Sequence, residues 1–195
     1  MSEFVERVSL IVAPEVMQEA NDTQSFNLAK PDSGVKNGRN KHGETATWTE
    51  LLNVLGSDLG VVPEGVNADG DPTPKRVFVD VKFAVAPETL DPKNVGRTLR
   101  QRYLINAATL GTREPSKERT MSLMSIGKLN AFLRAAGFEI EPGVQTELAD
   151  YFEANVDGES QVTGTKVYAD FRNYTDKNGI ARQDIIAYDG VDSNG

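Results

Sequence analysis

Basic and tyrosine side chains recur two residues apart along several segments of this chain. That spacing places them on one face of a β-strand, because successive side chains of a strand point to opposite faces. Cationic groups on such a face can follow the phosphates of a nucleic-acid single strand, while flat rings stack on its bases. The candidate nucleic-acid-binding residues are Lys82, Arg97, Arg100, Arg102, Tyr103, Lys166, Tyr168, Arg172, Tyr174, Arg182 and Tyr188.

An ordinary solvent-facing sheet is a competing interpretation of this pattern. In the segment 166–174, Val167 and Phe171 alternate with the basic and tyrosine residues, which indicates one core face and one exposed face. Lys166 and Asp170 would then make only surface contacts with their neighbours. The sequence leaves both interpretations of this segment open.

The distribution of charge supports an anion-binding surface in the middle of the chain. The 195 residues carry a net charge of −8, to which residues 1–75 contribute −6, residues 76–134 contribute +6 and residues 135–195 contribute −8. A basic region within an acidic protein suggests one surface that meets an anion, while the remainder keeps the protein soluble. The length allows one substantial core, and a second full domain is not expected.

The residue types that the chain lacks exclude several kinds of chemistry. It has no cysteine, so disulfides, thiolate metal sites and cysteine nucleophiles are excluded. The single histidine, His42, leaves most zinc chemistry without ligands. We therefore predict no catalytic residue, no metal site and no cofactor. No apolar run approaches a membrane span and the start lacks a signal-peptide pattern, so we expect a cytoplasmic protein, in the host cell if it is viral.

Two predicted hairpins and one helix must position the candidate residues. Segments 76–86 and 97–105 alternate between apolar and polar residues, and they are expected to pair. A second hairpin is predicted over 166–188, with Asn178-Gly179 as a strong turn signal. Between the hairpins, the apolar spacing of 125–137 predicts an amphipathic helix.

The first part of the chain has weaker signals. Residues 4–12 suit a strand or a helical turn, with a short helix expected after Pro14. The polar stretch 21–45 indicates a long loop. Apolar residues at helical spacing, preceded by a capping box, predict a short helix over 47–55.

Antiparallel strands interrupted by a single helix predict a mainly β protein with one or two short helices. This element order favours an OB-like Greek-key barrel with an N-terminal appendage, whose fifth strand would come from the N-terminal residues or elsewhere. A segment rich in proline and glycine, 63–75, is the predicted boundary. It divides the chain into an arm (1–75), a core (76–190) and a tail (191–195).

The order of these elements resembles a family of phage-encoded OB-fold single-stranded DNA-binding proteins from replication and recombination modules. The resemblance covers roughly residues 76–190. It involves Gly96-Arg97 before the second strand, the "L..FL.AAG" run of 129–137 and the "D.NG" turn of 176–179. It implies a non-enzymatic protein whose partner is single-stranded DNA. A homo-oligomer and contacts with replication or recombination enzymes are further partners that it suggests.

Two other classes of protein remain as alternatives. A virion structural or assembly protein would use residues 1–75 as an arm that clasps neighbouring subunits. A nuclease would use Asp32 and Asp80 to hold Mg²⁺, with Lys82 stabilising the developing charge and Glu50 nearby on a helix. This set resembles the PD-(D/E)xK core, but Asp32 lies in a glycine-rich loop.

One loop has the alternation of a calcium site. Asn67, Asp69 and Asp71 alternate as calcium ligands do, but the sixth-position glycine and the closing glutamate of such a loop are missing. We therefore interpret this segment as a turn.

Overall fold

The computed structural model describes residues 10–23, 27–31, 47–140, 144–175 and 178–191. Its elements in chain order are β1 (Ile11–Val12), α1 (Pro14–Asp22), β2 (Asn27–Pro31), β3 (Thr47–Val62), β4 (Gly65–Val66), β5 (Pro72–Thr73), β6 (Arg76–Val85), β7 (Thr98–Ile105), α2 (Ala107–Leu110), α3 (Lys117–Ala135), β8 (Thr146–Glu147), α4 (Ala149–Phe152), β9 (Lys166–Thr175) and β10 (Ala181–Gly190).

Five long strands form one antiparallel sheet in the order β7-β6-β3-β9-β10. Strand β3 belongs to both halves of it, because residues 47–53 pair with β9 and residues 52–62 pair with β6. An irregularity between Val54 and Gly56 separates the two halves, and such bulges bend a strand. The short strand β2 pairs with β10 on one side and β7 on the other, which closes a ring of six strands.

The core of the protein fills the inside of this ring. Val79, Val81 and Phe83 of β6 are fully buried, and Leu99 and Ile105 of β7 are buried with them. Their two-residue spacing is the one that the sequence predicted for two half-buried strands. The predicted pairing of these segments is confirmed by the register between β6 and β7.

Helix α3 packs its apolar stripe against the same core. Ile126, Leu129, Phe132 and Leu133 are fully buried, and the ring of Phe132 meets that of Phe83 edge-on at 5.6 Å. The predicted helix is confirmed, but it begins earlier than expected, at Lys117. The side chain of Ser116 caps it by accepting a hydrogen bond from the Arg119 amide at 3.0 Å.

The predicted helix over 47–55 is wrong, because this segment is the first half of β3. Leu51 and Leu52 are both buried although they lie on opposite faces of the strand. A strand that is buried on both faces loses the alternation that distinguishes it from a helix. Pairing with β9 and β6 overrides the local helix signal.

Two further predictions about the first half of the chain are corrected. The loop expected over 21–45 contains strand β2. The boundary expected at 63–75 is the connection between β3 and β6, which pair from Leu52 to Val62. Residues 47–62 therefore belong to the sheet, and a division at residue 75 would separate paired strands.

The observed fold contains more helix than the predicted fold class, a mainly β protein with one or two short helices. Strands build the sheet, but four α-helices occur among the described residues and α3 alone is 19 residues long. The protein is a mixed α/β structure on an antiparallel sheet. The short helix after Pro14 and the closing hairpin are confirmed as α1 and as β9 with β10.

Candidate nucleic-acid interface

The outer face of β6 and β7 brings together three of the predicted cations. Because the apolar residues of both strands point inward, Lys82, Arg100 and Arg102 point outward. Lys82 pairs with Arg100 across the two strands, and Asp80 pairs with Arg102. The three cations thus form a compact patch, here called the β6–β7 face, with Asp80 between them.

Asp80 holds two guanidinium groups in place. Its side chain is only 3% exposed, yet it accepts hydrogen bonds from Arg102 Nε at 2.7 Å and Arg102 Nη2 at 2.6 Å. Arg100 Nη2 donates a further hydrogen bond to the same carboxylate. The hydrogen bond to Asp80 raises the pKa of Arg102 above its usual value. Both arginine side chains remain about half exposed, so one carboxylate positions two cations that still face solvent.

An aromatic ring supports this arrangement. The guanidinium carbon of Arg102 lies 4.6 Å above the ring centroid of Phe78, within the range of a cation–π contact. The Phe78 ring lies against Gly60 of β3, where a Cβ atom would be only 2.6 Å from the ring. Gly60, Phe78 and Arg102 therefore form a stack whose outermost member is a planar cation.

A groove of about 360 Å³ lies beside the stack, where β3 and β6 meet. Gly56 is one of its lining residues, and Asp58 and Lys82 are exposed within it. The lining residues are Leu55, Gly56, Ser57, Asp58, Asp80, Lys82, Arg100 and Gly158. Positive and negative groups thus share one concave surface next to the arginine pair.

A second group of predicted residues lies on the outer face of β9 and β10. Arg172 stacks on the ring of Tyr174 at 5.5 Å, and Arg182 is the cross-strand neighbour of Tyr174. Tyr168 is half-buried on this face, and Lys166 at the start of β9 forms an ion pair with Glu88 at 2.9 Å. Exposed pairs of this kind contribute little to stability.

The strand order determines which of these residues can act together. Arg100 and Arg182 lie on β7 and β10, which are separated only by β2. Their neighbours Gln101 and Gln183 both pair with Ala29 of β2, so the backbones at Arg100 and Arg182 are two strand spacings, about 10 Å, apart. Arg182 and Tyr174 can therefore extend the β6–β7 face.

Not every candidate reaches this surface. Lys166 and Tyr168 lie at the opposite end of β9 from Tyr174, and Tyr168 pairs with Leu51 on the side of β3. Arg97 precedes β7 in the turn that follows Pro92–Asn94, and its side chain is half-buried. The structure does not bring these three residues to the arginine pair.

The structure corrects the prediction for two tyrosines. Tyr103 and Tyr188 are 1% and 8% exposed, and their hydroxyl groups share a hydrogen bond of 2.8 Å inside the protein. Tyr188 points inward because an irregularity between Ile185 and Ala187 shifts the alternation of β10. Burial raises the pKa of both phenols above the usual range. Neither ring can stack on a base, so both tyrosines are excluded from the candidate interface.

A buried ionic cluster explains the partial burial of Arg172. Asp184 is fully buried, with Arg172 Nη2 at 3.6 Å from its carboxylate. Burial raises the pKa of Asp184 to about 6, and the charges of Lys128 and Arg172 oppose this rise. Lys128 is 7% exposed and donates a hydrogen bond to the carbonyl of Ile185, and burial lowers its pKa to about 8. Arg172 therefore contacts Asp184 in this buried cluster as well as Tyr174 on the outer face.

Sequence reasoning missed Phe78, Gly60 and Asp58 as members of the site. Phe78 carried a signal, since it occupies an outward position in the alternating pattern of β6. An aromatic residue on the polar face of a strand is a candidate for stacking. Gly60 and Asp58 lie in the segment after the misassigned helix, so no strand placed them beside β6.

The positions of the acidic residues give little support to the nuclease hypothesis. Glu50 is buried and accepts hydrogen bonds from Thr89 and Asn94, and burial raises its pKa. Asp80 is held by the arginine pair, and Asp32 lies outside the described residues. Among the residues that the structure describes, no group of three or more acidic or histidine residues is placed to hold a metal ion.

The loop considered for calcium is a turn. The side-chain oxygen of Asn67 accepts hydrogen bonds from the backbone amides of Asp69 and Asp71, both at 2.9 Å. These bonds explain the alternation of polar residues as local turn chemistry.

Comparisons with protein-family models, curated proteins and solved structures find no match to this chain. Within the described part of the chain, no helix combines the length and the apolar character that crossing a membrane requires.

Proposed function

We propose that this chain is a non-enzymatic single-stranded DNA-binding protein, which contacts phosphates through its cations and bases through stacking. The observation that carries the proposal is the β6–β7 face, where Asp80 holds Arg100 and Arg102 half exposed above Phe78. Positive groups beside planar stacking surfaces are the two components of single-strand binding. Local excess of positive charge allows such binding within an acidic protein.

The fold class that we propose is an OB-like Greek-key barrel. Three long strands, helix α3 and two further long strands follow one another, and β3 pairs with both β6 and β9. OB-folds bind oligonucleotides on the face of their second and third strands. These are β6 and β7 when β3 is counted as the first, so the proposed face and the proposed fold agree.

The biological setting that we propose is a phage replication or recombination system in the host cytoplasm. It comes from the resemblance described for residues 76–190, with replication or recombination enzymes and further copies of the chain as additional partners. A role in virion assembly is the alternative, and the experiment below has to distinguish it from DNA binding.

The direct test is a fluorescence-anisotropy titration with labelled oligothymidine at low and at physiological ionic strength. Affinity should fall as salt rises, by a slope of about −0.7 for each phosphate that the protein neutralises. Replacing Arg100 by Ala should weaken binding several-fold and make the slope shallower by about 0.7. The remaining hydrogen bonds of Arg102 to Asp80 should keep the fold intact.

Arg134→Ala is the matched control, because Arg134 is exposed on α3 and belongs to neither group of candidate residues. It removes the same charge and should leave the affinity within about twofold of the original. Equal effects of both variants, or oligomerisation without any affinity for the oligonucleotide, would contradict the proposal. The second result would favour the assembly protein.

A further inference from the structure

The groove between β3 and β6 contains one acceptor and one donor that are free to bind a ligand. Asp58 and Lys82 are both exposed in it, and neither makes a hydrogen bond or an ion pair with any residue that the structure describes. Since Asp58 pairs with Asp80 across the strands, Asp58 and Lys82 are diagonal neighbours. Such residues are about 7–8 Å apart, with a somewhat shorter distance between their Cβ atoms. The longer side chain of Lys82 leaves room for a planar group between the two charges.

The remaining walls suit a flat, partly apolar molecule. Leu55 is 43% exposed at the edge of the groove, which provides an apolar contact. A Cβ atom at Gly56 would have no atom within 4 Å, so the space beside this residue is open. On the side of β7, Arg100 completes the lining, continuous with the proposed DNA-binding face. A base of a strand bound to that face can reach the groove.

The chemistry of the two free groups discriminates between bases. A carboxylate accepts hydrogen bonds through two oxygens, and an ammonium group only donates. Guanine presents two adjacent donors, N1–H and N2–H₂, beside the acceptor O6, whereas cytosine and adenine present one amino group and thymine one imino group. Unstacked bases of a single strand expose these edges to side chains. Guanine alone can occupy both carboxylate oxygens while its O6 accepts from a lysine.

We infer that this groove receives a guanine base of the bound single strand. Asp58 accepts from guanine N1–H and N2–H₂, Lys82 donates to O6, and Leu55 contacts the face of the base. The inference rests on the proposed function, because the arginine pair has to hold the neighbouring phosphates. It adds a base preference that phosphate contacts alone do not supply.

The test compares three labelled oligonucleotides by fluorescence anisotropy at low and at physiological ionic strength. The first is oligothymidine, the second carries isolated guanines and the third carries inosines at the same positions. Inosine lacks only the N2 amino group. The guanine oligonucleotide should bind about fivefold to tenfold more tightly than the inosine one, since a good bidentate contact is worth about this much or more.

Asp58→Asn should abolish this difference, because the amide has a single acceptor. When that oxygen accepts from N1–H, the amide NH₂ group faces the N2 amino group, so that a donor meets a donor. Asp150→Asn is the matched control: Asp150 is exposed on α4 and does not line the groove, and its replacement changes the net charge equally. The control should retain the preference for guanine. Free dGMP as competitor separates recognition of the base alone from recognition within a strand, and it should compete only weakly.

The possible results distinguish the two proposals. If all three oligonucleotides bind equally well and with a steep salt dependence, the guanine site is wrong and the DNA-binding proposal stands. Retention of the guanine preference by Asp58→Asn would also overturn the guanine site. If none of the oligonucleotides binds, both proposals are wrong.

Discussion

Two regions of this protein combine one buried carboxylate with two cations, but they differ in how the charges are paired. On the β6–β7 face, Asp80 accepts hydrogen bonds from both Arg100 and Arg102. Beside helix α3, neither carboxylate oxygen of Asp184 accepts a hydrogen bond from a described residue. The lysine of that cluster, Lys128, donates to a backbone carbonyl instead.

The difference shows that the composition of an ionic cluster does not determine its role. A buried carboxylate is stabilised when hydrogen bonds replace those it made to water, and otherwise its charge is costly. Asp80 has such bonds, and the arginines that supply them stay half exposed and able to bind a ligand. Asp184 lacks them, and its pKa is raised to about 6. The cations of the first cluster are exposed to solvent, whereas those of the second cluster lie partly or fully inside the protein, where they offset the buried charge of Asp184.

The two clusters should differ most in how much stability the protein loses when one cation is removed from each. Lys128→Met removes a positive charge from the cluster around Asp184 and leaves Arg172, at 3.6 Å, as the cation of the described residues that contacts Asp184. Because the Lys128 charge opposes the cost of burying Asp184 without contacting it, the loss should be as much as about 3 kcal/mol, the lower end of the range for a broken buried pair. Urea denaturation at neutral pH measures the change in the free energy of unfolding.

The corresponding change on the outer face is Arg100→Met. Arg102 keeps both of its hydrogen bonds to Asp80, and Arg100 is half exposed, so the loss should be about 1 kcal/mol or less. Similar losses for both variants would show that the two clusters are energetically alike, against the comparison made above.

The pH dependence of stability should reveal the cost of charging Asp184. Its pKa is about 6 in the folded protein and 3.8 ordinarily, so the folded state binds the proton more tightly. Asp184 therefore lowers stability fully above pH 6, and this cost disappears as the pH falls toward 4. A shift of this size corresponds to about 3 kcal/mol.

Asp184→Asn removes the titrating group without changing its shape. The stability of the variant relative to the original protein should rise as the pH increases from 4 to 6, and should then stay level to about pH 7, below the pKa of about 8 of Lys128. Asp150→Asn, at an exposed position, should show no such change. A constant difference between Asp184→Asn and the original protein over this range would mean that Asp184 titrates normally.

Sequence reasoning succeeded where a strand buries only one face. β6, β7 and the closing hairpin were predictable because alternation alone identifies such strands. It failed for β3, where Leu51 and Leu52 are both buried. It also failed for β2, a five-residue strand whose apolar content is low and whose position depends on pairing with two other strands. Short strands held between two neighbours, and strands buried on both faces, are thus determined by tertiary pairing and not by a local pattern.

The site was predictable in the same partial way. Alternation placed Lys82, Arg100 and Arg102 outward, but the pairing of both arginines with Asp80 depends on the register between β6 and β7. That register depends on the geometry and length of the connecting loop as well as on the apolar pattern, so alternation alone did not identify the partners. The inward turn of Tyr188 depends on an irregularity in β10 that has no distinctive residue, such as glycine, at its position. The face of a strand on which a side chain lies could thus be predicted, whereas its partners on the neighbouring strand could not.

Gly60→Ala tests what holds Arg102 in place, and its effect on stability should be as small as that of Arg100→Met. The new Cβ would lie 2.6 Å from the Phe78 ring, so the ring has to move away. Because the ring is the end of a half-exposed side chain, the loss of stability should be about 1 kcal/mol or less. Gly111→Ala, where the nearest atom is 3.7 Å away, is the matched control for the glycine change itself.

The affinity for oligothymidine tells whether Phe78 or Asp80 determines the position of the guanidinium. If the stack on Phe78 contributes, Gly60→Ala should weaken binding by about twofold to fivefold, the size of an exposed cation–π contact. Unchanged affinity would show that the two hydrogen bonds from Asp80 suffice to hold Arg102. In that case one well-paired carboxylate would be the whole difference between the β6–β7 face and the cluster around Asp184.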